Sequence, residues 1–258
     1  MRSLSARSIS GLPEITAGDD LAELIIEALG REHLAPGTLL AIAHKAVSKA
    51  EGATVALADV RPSERARELG ATVEKDPRFV QVVLDESIEV LRAERGVLIC
   101  RTRHGFVCAN AGVDASNASS AEELILLPRD PDASARRIRA RLRELLGSEP
   151  ERAGQAPAVL ISDSFGRAWR HAQVDVAIGL AGMQPADDWR GRRDSLGLEL
   201  RATWLAVADA AAATADLLRA KDSREPVVLL DGLERFITDD DGPGALALVR
   251  PLDEDMFR

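Results

Sequence analysis

The chain reads as an α+β protein. Segments with helical apolar spacing are mixed with short apolar runs of strand length, without the regular βαβ order of a doubly wound sheet. Hydrophobic residues make up 46% and charged residues 29% of the sequence, the balance of a soluble globular domain. At 258 residues the chain is one domain or two lobes, with roughly 70% of the unfolded surface hidden on folding. Aromatics are only 3% and tyrosine is absent, so the core must be built from Leu, Val, Ile and Ala.

The elements follow in order. Gly11 to Ile15 is a loop, and Gly18-Asp19-Asp20 starts a helix with apolar positions 21, 24, 25, 28 and 29 on one face. Thr38 to His44 is a short apolar strand leading into Lys45–Gly52. Arg61-Pro62-Ser63-Glu64 opens a second helix, with Ser63 as its cap. A longer helix is expected over Arg78–Arg95, with Phe79, Val82, Val83, Val90 and Leu91 inward. Val97 to Ala111 is a hairpin turning at Arg103–Gly105, and Pro128–Pro131 is a break. Ala133 to Leu146 is an amphipathic helix with Ile138, Leu142, Leu145 and Leu146 inward; its arginines 136, 137, 139, 141 and 143 read as a solvated face. Gly147–Ala156 is a polar linker and Pro157–Ile161 a buried strand. The glycine-rich stretch Trp169–Leu198 suggests strands and functional loops. An Ala-rich helix over Thr203–Lys221, a strand at Pro226–Leu230 and, after Gly242-Pro243-Gly244, a final strand at Ala245–Val249 complete the reading.

The net charge of −9 argues against a nucleic-acid or membrane-surface partner. No apolar run reaches membrane-spanning length, and the first residues lack the apolar stretch of a signal peptide, so a cytoplasmic protein is expected. Cys100 and Cys108 flank the hairpin turn and are expected as free, buried thiols.

Two segments carry candidate chemistry: Gly112-Val113-Asp114-Ala115-Ser116-Asn117 and Ile161-Ser162-Asp163-Ser164-Phe165-Gly166-Arg167. Each places an aspartate where an apolar strand is expected to run out. Carboxylates at strand ends suit a hard cation, and Asp, Ser, Asn and Gly also form ordinary turns. No GxxxxGK[ST] or GxGxxG loop is present, so a nucleotide would bind by another scheme. Lys45 and Lys49 with Ser48, then Arg167 and Arg170, are either phosphate contacts or surface charge.

Seven motifs in order resemble the coenzyme F420-0:γ-glutamyl ligase family. They are Gly-Leu-Pro-x-Ile at 11–15, Gly-Asp-Asp-Leu at 18–21, Val-Ser-Lys-Ala-Glu-Gly at 47–52 and Asn-Ala-Gly-Val-Asp-Ala-Ser-Asn at 110–117. Leu-Leu-Pro-Arg-Asp-Pro-Asp-Ala-Ser at 126–134, Ser-Asp-Ser-Phe-Gly-Arg-Ala-Trp-Arg at 162–170 and Val-Ala-Asp at 207–209 continue the series. The arrangement especially resembles the ligase half of a two-domain bacterial enzyme, and that enzyme's C-terminal flavin-reductase-like domain is expected to be absent here.

The resemblance implies one ligase domain over 1–258, a two-lobed mixed α/β fold with a second lobe at roughly 75–195, and an intertwined homodimer. It implies that GTP phosphorylates a deazaflavin precursor and L-glutamate attacks the acyl phosphate to form an amide. Mg²⁺ or Mn²⁺ is the implied cofactor, with K⁺ as a further ion. Leu12, Pro13, Glu14, Ile15, His44, Lys45, Lys49 and Asn117 fall where the family contacts GTP. Asp114 and Asp163 fall on one metal site and Ser164 on a second. Asp114, Asp163, Lys49 and Arg167 are the candidate catalytic groups, with Arg170 as a further phosphate contact. The family's second-metal loop corresponds to Arg219–Glu225, where Lys221 stands at the ligand position; either Lys221 meets phosphate instead or Asp222 takes over as ligand. Two rival readings are a carboxylate–amine ligase with a different acceptor and a non-catalytic deazaflavin- or nucleotide-binding module.

Overall fold

A computed structural model describes residues 3–30, 34, 37–116, 122–147, 156–220 and 222–255. Its strands are β1 (Ser5–Ser8), β2 (Leu39–Ala43), β3 (Thr54–Ala56), β4 (Ser87–Glu94), β5 (Val97–Thr102), β6 (Val107–Ala109), β7 (Glu123–Ile125), β8 (Ala158–Arg167), β9 (Arg170–Ala181), β10 (Asp187–Asp188), β11 (Trp204–Leu205) and β12 (Val227–Asp231). Its α-helices are α1 (Leu21–Leu29), α2 (His44–Ala50), α3 (Glu64–Val73), α4 (Pro77–Asp85), α5 (Pro131–Leu146) and α6 (Val207–Asp216). The α+β class expected from the sequence is the class observed.

A mixed five-stranded sheet in the order β1-β12-β2-β8-β9 is the centre of the fold. The β2–β8 pair is parallel and the other neighbours are antiparallel. Both faces of this sheet are covered, so its inner strands are apolar throughout rather than alternating with polar residues. Leu40, Ile42, Val159, Ile161, Val227 and Leu229 face one way, against α1 and α5. Leu39, Ala41, Ala158, Leu160, Val228 and Leu230 face the other, against the alanines of α6. The period of two along each strand makes this division unavoidable.

A smaller apolar cluster is drawn from residues between Val55 and Leu126. It joins α3 and α4 to the meander β4-β5-β6 and the short pair β3–β7. Ser63 caps α3 as expected, its Oγ accepting from Ala66 N–H at 3.2 Å. Cys100 and Cys108 stand opposite each other across β5 and β6 as buried free thiols.

Three expectations give way. The helix expected over Arg78–Arg95 ends at Asp85, and Ser87–Glu94 is strand β4, paired with β5. The apolar residues of that stretch satisfy either period, and the partner strand decides between them. Ala245–Leu248 is a 3₁₀ turn instead of a strand, because Ala245 and Leu246 N–H groups turn inward onto the buried Asp132 carboxylate, at 2.7 and 3.3 Å. Arg139 leaves the solvated arginine face. It is 2% exposed and donates to Asp241 Oδ1 and to the carbonyls of Asp240 and Thr238.

Candidate active site

The site forms where the parallel edge of the central sheet meets the smaller cluster. Strand β2 stops at Ala43, whose register partner is Ser162, and the chain passes directly into α2. Strand β8 continues beyond that point, paired now only with β9. Asp163 is therefore inside a long strand rather than at its end, contrary to the expectation. The stop of its neighbour β2 is what opens the space beside it.

Asp114 arrives from the other body. Asn110, Ala111 and Gly112 are consecutive left-handed residues, with φ of 51°, 54° and 74°. A Cβ on Gly112 would lie 2.6 Å from Leu127 Cγ, so glycine suits both the backbone and the space there. The turn ends in a backbone bridge, Asp114 N–H to Ile125 O at 3.0 Å and Ile125 N–H to Asp114 O at 2.8 Å. Asp114, Asp163 and Ser164 then line one cavity of about 310 Å³, with Lys75, Phe79 and Gln173 also in its wall.

Helix α2 sorts its polar residues by face. Lys45 and Lys49, four apart, lie together on the helix surface, and His44 and Ser48 lie together on the buried side. Lys45 Nζ is 2.7 Å from Asp114 Oδ2 and donates to Ser116 Oγ at 2.6 Å. Lys49 Nζ donates to Glu14 Oε1 at 2.5 Å, which ties the 12–15 loop to the helix. His44 Nε2 lies 3.2 Å from Asp163 Oδ1 but makes no hydrogen bond among the described residues, so Asp163 is an electrostatic neighbour only. Burial pushes the Asp114 carboxyl up, but the Lys45 ammonium and the Ser116 amide outweigh it and hold the group below the ordinary carboxylate range.

A second network lies behind Ser164. Its Oγ donates to Asp175 Oδ1 at 2.6 Å, and Ser162 Oγ donates to Asp175 Oδ2 at 2.8 Å. The Arg219 guanidinium closes the network, 3.2 Å from Asp175 Oδ2 and 2.9 Å from Ser162 Oγ. The Asp175 and Arg219 side chains are 6% and 8% exposed. Sequence reasoning passed over Asp175, although an aspartate inside the apolar run Val174–Ala181 is itself a signal that a buried partner waits for it.

Arg167 and Arg170 are not brought to the cavity. They face each other at the exposed end of the β8–β9 hairpin, about 13 Å of strand beyond Asp163. Arg167 Nη2 donates to His171 O at 2.6 Å. Asn117 and Lys221 lie outside the described residues.

The donor set fits a hard cation of the Mg²⁺ or Mn²⁺ type. Two carboxylates and a serine hydroxyl face one space, and such ions are held by one or two carboxylates together with substrate phosphates. Among the described residues no group of three His, Cys, Asp or Glu side chains forms a closed cage.

The family model described as F420-0:Gamma-glutamyl ligase matches residues 11–232. The chain belongs to this family. It is 42% identical to the Coenzyme F420:L-glutamate ligase of Methanothermobacter thermautotrophicus, over 99% of both chains. It is 43% identical to that of Methanopyrus kandleri, over 95% of this chain and 94% of the relative, and 42% identical to that of Halobacterium salinarum, over 99% and 96%. The family resemblance read from the seven motifs therefore holds over nearly the whole chain. Among the described residues no helix is long and apolar enough to cross a membrane.

Proposed function

We propose that this protein is a ligase of coenzyme F420 biosynthesis, joining L-glutamate to the carboxylate of F420-0 with GTP as the energy source. The observation that carries this reading is the identity of 42% to a Coenzyme F420:L-glutamate ligase over 99% of both chains. The convergence of Asp114, Asp163 and Ser164 on one cavity supports it.

In this reading Lys49 and Lys45 neutralise nucleotide phosphates, with residues 12–15 forming one wall of the nucleotide pocket. Both lysines are already paired, to Glu14 and Asp114, so phosphate binding is an exchange of partners. Asp114 and Asp163 would hold Mg²⁺ or Mn²⁺, with Ser164 toward a second ion and K⁺ as a further one. The metal supplies charge neutralisation at the transferring phosphoryl group. Ser164 Oγ donates its proton to Asp175, so what it would offer a cation is its oxygen lone pairs. The chain's own contribution is to hold the acid and the amine together, which supplies most of what an acyl transfer needs.

A homodimer belongs to the same reading. The stretch around β10 and β11 leaves Leu196 84%, Leu198 66% and Trp204 52% exposed, an apolar surface that a second copy would cover. The test of the function is direct: the pure protein is incubated with F420-0, GTP, Mn²⁺ and L-glutamate, and the product is read by mass. A gain of one glutamate residue with release of GDP is expected. No mass gain from a folded protein overturns the reading.

A further inference from the structure

The cavity that holds the two aspartates has a cationic wall as well. Among the described residues Lys75 is the one Lys or Arg side chain lining it. It enters from the joint between α3 and α4, whereas Asp163 and Ser164 enter from β8. Its ammonium lies 4.8 Å from the centroid of the Phe79 ring, and Phe79 is itself in the wall.

The joint is built to hold Lys75 still. Glu74 ends α3 in the left-handed conformation at φ 54°, and Lys75 N–H donates to Gly70 O at 2.9 Å. A Cβ on Gly70 would come within 2.9 Å of the Lys75 carbonyl oxygen, so the close approach needs glycine. Asp76 then caps α4, accepting from Arg78 N–H at 2.7 Å. Three successive residues are thus fixed by two helix ends, and a lysine on such a joint is better placed than one on an open loop.

Among the described residues no carboxylate pairs with Lys75. Asp114 is met by Lys45, and Asp163 has His44 Nε2 and the Ser164 amide beside it. Burial pulls the Lys75 ammonium below its ordinary range, and among the described residues no acid offsets that pull. A half-buried cation over an aromatic face, with no carboxylate of its own, is a site waiting for an anion. Phosphates have their own cations in Lys45 and Lys49 on α2. The cavity's volume of about 310 Å³ suits an amino acid or the acidic end of a larger molecule rather than a whole nucleotide.

We propose that Lys75 is the carboxylate-recognition residue of this cavity, receiving a carboxylate of an acidic substrate, either L-glutamate or the deazaflavin acid. The proposal rests on the ligase reading above and deepens it. The incoming amine and the acyl carboxylate must meet beside Asp114 and Asp163, and Lys75 anchors one of the two acids from the opposite wall.

Ligation is measured for the wild type, Lys75→Met and Lys75→Arg, varying L-glutamate, the deazaflavin acid and GTP in turn. Binding of L-glutamate and of the deazaflavin acid is titrated by calorimetry in the same proteins. Loss of a charge-assisted contact should raise KM for one carboxylate substrate about 10- to 150-fold in Lys75→Met, with partial rescue in Lys75→Arg and KM for GTP unchanged. A rise for L-glutamate assigns the contact to the amino acid, and a rise for the deazaflavin acid assigns it to the precursor. Unchanged KM for both, or a rise confined to GTP, overturns the proposal. If the wild type makes no ligated product yet binds one of the two acids and Lys75→Met loses that binding, the ligase reading fails and the carboxylate site stands. If no product forms and binding is equal in all three proteins, both fall.

Discussion

Replacing Asp175 with alanine tests the network behind Ser164. The wild-type carboxylate accepts from two serine hydroxyls and faces Arg219, in a pair whose side chains are 6% and 8% exposed. Removing it leaves a buried guanidinium with only the weaker pull of Asp216 to offset its burial, which already holds Arg219 below its ordinary range despite both acids. Breaking one side of a buried pair typically costs about 3–5 kcal/mol, most of it the uncompensated charge. Asp175→Ala should therefore lose about that much stability in urea unfolding, with the slope of the transition unchanged. Asp175→Asn keeps an acceptor for the hydroxyls and should lose less. Removing both charges in Asp175→Ala with Arg219→Met should recover part of the loss, so that the double-mutant cycle gives a coupling of at least about 1.5 kcal/mol. Arg219 also opens the 219–225 stretch, so GTP affinity should fall in the same variants if that stretch covers the nucleotide. A loss below about 1 kcal/mol in Asp175→Ala, or additivity within about 0.5 kcal/mol in the cycle, would refute the network as a stabilising unit.

Other outcomes follow from the same geometry. Asp163→Asn and Asp114→Asn should each abolish most ligation while circular dichroism and unfolding midpoints stay near wild type; full activity in folded Asp163→Asn would remove the metal assignment. Lys49→Ala should weaken GTP binding about 10- to 150-fold by calorimetry, the worth of one charge-assisted contact. Arg167→Ala, at the exposed end of the hairpin, should leave GTP affinity within about twofold, and a tenfold loss would show that the hairpin folds back onto the nucleotide. Asp20 caps α1 and pairs with Arg141; burial raises its pKa, but Arg141 and the helix amides outweigh burial and hold it below the ordinary range. Its contribution is present above about pH 4 and lost as pH falls through the lower folded value, so wild-type stability should drop more steeply on acidification than that of Asp20→Asn.

The legible parts of this fold are those where local chemistry and burial agree. Asp20 and Ser63 cap helices where the sequence places caps, and the runs at 39–42, 158–161 and 227–230 are strands because sheet residues covered on both faces must all be apolar. The illegible parts are those settled by distant partners. Nothing in Glu86-Ser87 announces that a helix ends there; the antiparallel ladder to Val97–Thr102 decides it. Arg139 has the spacing of a surface residue, and only the carbonyls of Thr238 and Asp240, a hundred residues away, draw it inside. Lys75 carried no signal in sequence, because its importance depends on which wall of which cavity it reaches.

The two aspartates show how the stopping of a neighbouring strand, rather than the end of their own, shapes this cavity. The sequence places both at strand ends, and Asp163 is not at one: β8 runs on to Arg167 with β9 beside it. What ends is β2, at the register position of Ser162, and the chain turns there into the helix that carries His44, Lys45 and Lys49. One strand stopping while its parallel neighbour continues does three things at once. It exposes the Asp163 edge, aims a short helix with two cations past it, and leaves room for the Asn110–Gly112 turn to bring Asp114 alongside. Ligand sites in sheets gather where neighbouring chains part company, and this follows from the same cause, since only there does the sheet leave a gap that its own side chains do not fill. A carboxylate placed at such a point has to be compensated, and Lys45 and His44 are the groups the fold puts within reach.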